Sequence, residues 1–211
     1  MKSRCIQLFV ICILMITNAY SQNFEGTIVY QNVYKSKVPG VPDAQFSTMM
    51  GTTQEYSIKG GNYRSSMNGT LVKWQIYINQ DNKLYTKMSN IQPILWNDGA
   101  VNTDEVLSSE INKNVVEILG QMCDELIMTC KSGVQKFYFS SNQKVDAGLY
   151  MKHKFANWNE VLGKANAIPL KIIMTTPQFF VESIAIEIIP KKLDDTLFKL
   201  PPDSKLEKSP Y

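Results

Sequence analysis

Histidine is nearly absent: the chain of 211 residues holds one, His153. A Ser-His-Asp device would have to be built on it, and no Gly-x-Ser-x-Gly elbow occurs to present the serine. A single histidine and few cysteines cannot fill the four-coordinate shell of a structural zinc without borrowed carboxylates. The Asp-x-Asp-x-Asn-Gly calcium loop is missing as well, and Asn79-Gln80-Asp81-Asn82 reads as a turn. No Gly-rich phosphate loop precedes a helix. These absences argue against an enzyme, and no cofactor or metal is expected. Flanked by Lys152 and Lys154, His153 itself reads as a surface loop residue.

Charge of one sign is also scarce. Lys and Arg number 22 against 19 Asp and Glu, a net charge of +3. Two of the basic residues, Lys2 and Arg4, precede the one long apolar run, residues 6–16. The rest of the chain is nearly neutral with its charges interspersed, which offers nothing to nucleic acid or to an anionic membrane. The run ends before Ala19-Tyr20-Ser21, small residues at the −3 and −1 positions of a cleavage site. Residues 1–21 therefore read as a secretory signal peptide, too short in its apolar part to anchor permanently in a bilayer, and residues 22–211 as one exported domain. No other segment approaches the length of a transmembrane span.

Cysteine is sparse too, at four. Cys5 and Cys12 fall in the signal peptide, and Cys12 follows Ile11 inside the apolar run, where a lipidation acceptor would follow a small residue at its end. Cys123 and Cys130 remain. Seven residues along one strand would separate their Cα atoms by about 23 Å, against roughly 5.5–6 Å in a disulfide. An even count in an exported chain favours a bridge; strand geometry opposes it unless the segment bends. Both readings stay open.

What the chain has in abundance is period-two alternation. Phe24, Gly26, Ile28 and Tyr30 share one face; Val72, Trp74, Ile76 and Ile78 share another, predicted to be buried. Strand patterns recur at residues 115–119, 125–129, 135–140, 170–175 and 179–189, with 89–104 reading as a long loop. Asn68-Gly69 is a strong hairpin signal and also opens the sequon Asn68-Gly69-Thr70. Roughly nine or ten strands result, mostly hairpin-connected, in one antiparallel sheet large enough to curl. One helix stands out: Asn157 as N-cap, Glu160 as its capping-box partner, and Trp158, Val161, Leu162 and Ala165 at helical spacing. A further helical turn fits residues 194–198.

Aromatic and methionine side chains, including Tyr56, Tyr63, Met67, Trp74, Tyr77, Met128 and Met174, fall on or near these strands. They pack a core, or they line a pliable apolar surface that adapts to varied ligands. On the second reading Met67, Trp74 and Met128 are the candidate ligand contacts.

Four segments in order carry a family likeness: Asn23-Phe24-Glu25-Gly26-Thr27-Ile28-Val29-Tyr30, Ile118-Leu119-Gly120-Gln121-Met122-Cys123, Ile168-Pro169-Leu170-Lys171-Ile172, and the run from Lys191 to Pro201. With them the chain resembles exported Gram-negative proteins of unknown function near the GLPGLI group, themselves similar to the lipoprotein carriers LolA and LolB. The resemblance implies a mainly β (α+β) fold, a strongly curved antiparallel sheet or unclosed β-barrel with one or two covering helices. It also implies a periplasmic or outer-membrane-associated location. The function expected is a non-catalytic binding protein holding a lipid or lipidated partner on the concave face. The alternative is an envelope protein–protein interaction module with a packed interior.

Overall fold

The computed structural model describes residues 23–102 and 104–210. The signal-peptide reading, with Cys5, Cys12 and the cleavage site, lies outside the described residues. Alternation builds twelve strands: β1 (Gly26–Ser36), β2 (Thr53–Lys59), β3 (Asn62–Met67), β4 (Val72–Ile78), β5 (Lys83–Met88), β6 (Ile94–Asp98), β7 (Val106–Ile118), β8 (Gln121–Cys130), β9 (Gly133–Lys144), β10 (Ala167–Thr175), β11 (Phe179–Pro190) and β12 (Leu206–Lys208). They form one sheet in the order β12-β6-β5-β4-β3-β2-β1-β11-β10-β9-β8-β7. Two meanders, β1–β6 and β7–β11, are joined where β1 pairs antiparallel with β11 along its full length, Gly26 opposite Pro190 and Ser36 opposite Phe179. Only β12 runs parallel to its neighbour, β6. The sheet is curved and does not close, with β7 and β12 as free edges. The expected fold class is therefore the observed one.

Two helices accompany the sheet, α1 (Asp43–Met50) and α2 (Trp158–Ala165). Val161, Leu162 and Ala165 of α2 are buried, as their spacing predicts. They pack in two groups that between them hold the sheet's inner face, Leu162 with Tyr77, Tyr150 and Leu170, and Val161 and Ala165 with Leu126, Met128, Phe137 and Phe139. On the outer face the C-terminal segment crosses β3 and β4. Its 3₁₀ turn at Asp195–Phe198 starts at Asp194, whose carboxylate accepts from the Thr196 amide, and Lys59 ties it down through Asp195 at 2.7 Å.

Several local expectations fail for identifiable reasons. The stretch 89–104 is not all loop, since β6 lies within it. Helix α1 escapes the periodicity reading because none of its residues is buried. Its punctuation is nevertheless present: Pro42 before it, Asp43 in the first turn and Gly51 after it. Asn68-Gly69 is not a two-residue turn with positive φ, since neither residue is left-handed. Gly69 serves a close approach instead, because a Cβ there would run into the backbone of Met49 and Met50. Asn157 does not cap α2 with its side chain; it sits at φ 59°. Its carboxamide is turned inward, accepting from Asn102 at 2.8 Å. A bulge between Val72 and Trp74 interrupts the β4 register, leaving Trp74 half-buried while Val72 and Ile76 are buried.

Candidate functional site

The inner face of the sheet is read from strand parity. Tyr63 pairs with Tyr77 and Ser65 with Gln75 across β3 and β4, which puts these four on one side and Trp74, Ile76 and Arg64 on the other. Between the inner face and α2 lies a half-open cavity of about 290 Å³. Its sheet side carries alternate residues of neighbouring strands: Gln54 and Tyr56 of β2, Tyr63 and Ser65 of β3, Ile172 and Met174 of β10, and Phe179, Val181 and Ser183 of β11. Tyr34, Gln75 and Leu84 complete that wall, and Met50 comes from the end of α1. Phe155, Ala156 and Trp158 form the roof. No Asp, Glu, Lys, Arg or His appears among these residues.

The roof is held by backbone geometry that ordinary helix signals do not announce. Ala156 and Asn157 are consecutive left-handed residues, at φ 52° and 59°, a conformation that costs of order 1 kcal/mol or more for a side chain-bearing residue and persists only when its surroundings enforce it. Here the Lys154 and Phe155 amides donate to the Gly99 carbonyl at 2.6 and 3.2 Å, and the Asn159 amide donates to the His153 carbonyl at 2.7 Å.

His153 anchors this roof and corrects the surface-loop expectation: it is 1% exposed. Its ring lies parallel to that of Tyr77 at 3.8 Å between centroids, and its Nε2 is 2.8 Å from the Tyr63 hydroxyl. Burial pushes its pKa down to about 3, so it is neutral in the folded protein. Tyr56 stacks on Tyr63 at 5.0 Å, and the Trp158 ring meets Tyr56 edge-on at 6.5 Å. The Tyr56 hydroxyl and the Trp158 Nε1 are both buried and face each other, short of good hydrogen-bond geometry. Burial, above all, drives the Tyr56 hydroxyl well above the ordinary tyrosine range, and the nearby Tyr63, Tyr150 and Tyr30 add to it.

None of the three candidate ligand contacts lines this cavity. Met67 ends β3 opposite Gln54, half-buried. Trp74 faces outward, beneath the Arg64 guanidinium at 5.2 Å. Met128 is fully buried on the inner face, but in the part filled by α2. Parity alone could not tell a filled stretch of that face from an open one. Cys123 and Cys130 are both buried, free thiols. They occupy one strand, β8, so the bridge that an even count favours gives way to strand geometry. Burial lifts the Cys130 thiol to about 11, which keeps it protonated at neutral pH.

Two larger clefts, of about 450 and about 390 Å³, are lined by charged groups: Lys154, Glu160 and Lys164 in one, Glu25, Lys191 and Lys192 in the other. Neither has the charge-free wall of the inner cavity. Among the described residues no cluster of His, Cys, Asp and Glu could hold a metal ion, and no helix is long and apolar enough to cross a membrane.

No family model matches the chain, and no curated protein matches it. A solved structure, that of PNGF-II in its P2₁ crystal form, is similar at 14% identity and a TM-score of 0.45, the likeness covering 88% of this chain and 32% of that one.

Proposed function

We propose that this chain is an exported, non-catalytic binding protein that holds an apolar or amphipathic ligand on the inner face of its curved sheet. The observation that carries the reading is the half-open, charge-free cavity roofed by Phe155, Ala156 and Trp158. Ligand sites are concave and mostly apolar, with a few polar groups that fix orientation, and Gln54, Gln75, Ser65 and Ser183 supply such groups here. The resemblance to the lipoprotein carriers, whose unclosed barrels hold acyl chains, supports the same reading and a location in the periplasm or at the outer membrane. Native mass spectrometry of protein gently extracted from its producing cell tests it. A stoichiometric small-molecule adduct lost on organic extraction is expected; a bare chain that also fails to bind any alkyl compound after extraction would overturn the reading.

A second reading, the envelope interaction module, draws on β7. This free edge exposes Leu107, Ile111 and Val115 at 59%, 40% and 46%, and an open edge offers unpaired backbone groups to a partner strand. The edge is nevertheless blunted. Bulges interrupt its pairing with β8 near Leu107 and again between Asn112 and Val116, Asn114 is left-handed at φ 54°, and Lys113 sits there paired with Asp124. Such devices discourage strand addition. In the same experiment this reading would give a protein partner rather than a small adduct.

A further inference from the structure

Three properties of the inner cavity narrow the ligand further, provided that the cavity is the binding site proposed for it. First, its wall carries amides, hydroxyls, thioethers and rings but no ionisable carboxylate, ammonium, guanidinium or imidazole. Burying a charge without a partner costs far more than burying a neutral polar group, so a fatty-acid carboxylate or an alkylammonium has no place inside. Second, the two polar ring atoms of its wall, the Trp158 Nε1 and the Tyr56 hydroxyl, are buried and face each other, short of good hydrogen-bond geometry. An indole N–H can only donate, and a phenol can donate as well as accept. The indole N–H is directed at the phenol oxygen, so the phenol proton is the one left without an acceptor, which is costly, and one ligand oxygen accepting from Tyr56 would satisfy it. Third, about 290 Å³ at about 30 Å³ for each water-sized group holds about ten heavy atoms.

We infer that the cavity selects a small neutral amphiphile, an alkyl or aromatic body of about ten heavy atoms bearing one hydrogen-bond-accepting oxygen, such as a medium-chain alcohol or ketone. An acyl chain of a lipoprotein fits only in part, and an ionised head drawn inside would lose its hydration without a charged partner. The aromatic rings grip the body, while the Tyr56 hydroxyl, held by Trp158, orients the oxygen.

Isothermal titration calorimetry of the extracted full-length protein at pH 7.5 tests this with 1-octanol, octanoate, octylammonium and toluene. Saturable one-to-one binding of 1-octanol is expected, at least tenfold tighter than either ion. Among shorter alcohols affinity rises about fourfold per methylene and levels off near ten heavy atoms. Trp158→Phe keeps a ring but loses the N–H, and Tyr56→Phe removes only the hydroxyl. Each is expected to weaken 1-octanol about five- to tenfold and leave toluene, which has no acceptor, unchanged; retained toluene binding shows that the variant is folded. Octanoate binding as tightly as 1-octanol would overturn the neutral selectivity while leaving the binding function standing. Unaltered 1-octanol affinity in both variants would overturn the assigned anchor. If neither the alcohols nor toluene bind, the binding function itself fails.

Discussion

Replacing Tyr77 with alanine is expected to destabilise the protein by about 3–5 kcal/mol, the range for truncating a fully buried large aromatic. Tyr77 is 0% exposed and is the centre of an aromatic stack: His153 lies parallel at 3.8 Å, Tyr63 at 5.4 Å and Tyr150 at 6.3 Å. Its hydroxyl donates to the Asn82 Oδ1 at 2.9 Å. The ring thus couples β3 and β4 to the segment from Tyr150 to Trp158 that roofs the cavity, so its loss opens a void and frees the roof together. Tyr77→Phe keeps the stack and removes one hydrogen bond, at a cost of about 1 kcal/mol. Urea unfolding with an unchanged slope reads both values. A loss below about 1 kcal/mol for the alanine variant would mean that the stack does not hold the roof to the sheet.

The second large effect is a pH dependence that between pH 7 and 5 has one main origin. His153 is neutral and buried, with a folded pKa pushed down to about 3 from the ordinary 6.5, and its Nδ1 has no partner. The unfolded chain therefore binds a proton on this residue between those two values and the folded chain does not. The sign follows: stability is fully present above about pH 6.5 and falls as the solution is acidified towards pH 3, by about 1.4 kcal/mol per unit well inside that window. Because the chain has one histidine, no other side chain with an ordinary pKa titrates between pH 7 and 5. About 2 kcal/mol should be lost over that interval. Asp194, whose carboxylate is held below the usual range mainly by the Thr196 backbone amide, contributes only at lower pH, where stability is lost as it protonates. His153→Gln should flatten the dependence between pH 7 and 5, measured as urea midpoints. A slope that survives in the variant would place the histidine in water.

The elements most legible in the sequence are those whose side chains alternate against a packed neighbour. The β1 pattern and the apolar spacing of Val161, Leu162 and Ala165 follow directly from burial on one face. Helix α1 is hidden because no burial marks it, although Pro42, Asp43 and Gly51 bracket it. His153 defies a local reading because its surroundings are set by long-range pairing: the Tyr63 hydroxyl it meets lies 90 residues away in sequence, while its lysine neighbours are exposed. The cavity is half legible. That aromatic and methionine side chains face a curved interior follows from parity. Which stretch stays open depends on where α2 and the left-handed residues Ala156 and Asn157 place the roof, and nothing local encodes that. Met128 illustrates the point, since it lies on the right face beneath the wrong cover, and Trp74 lies on the right strand but faces outward.

The methionines also provide the most direct test, because they sample both the cavity and its surroundings. In a methyl NMR titration of the protein with 1-octanol, the ε-methyl signals of Met50 and Met174, which line the cavity, should shift and saturate together. Those of Met122, exposed on β8, and Met128, buried under α2, should stay in place. Saturable shifts at Met122 with Met50 and Met174 unmoved, or no saturable shift at any methionine, would contradict an inner-face binding site.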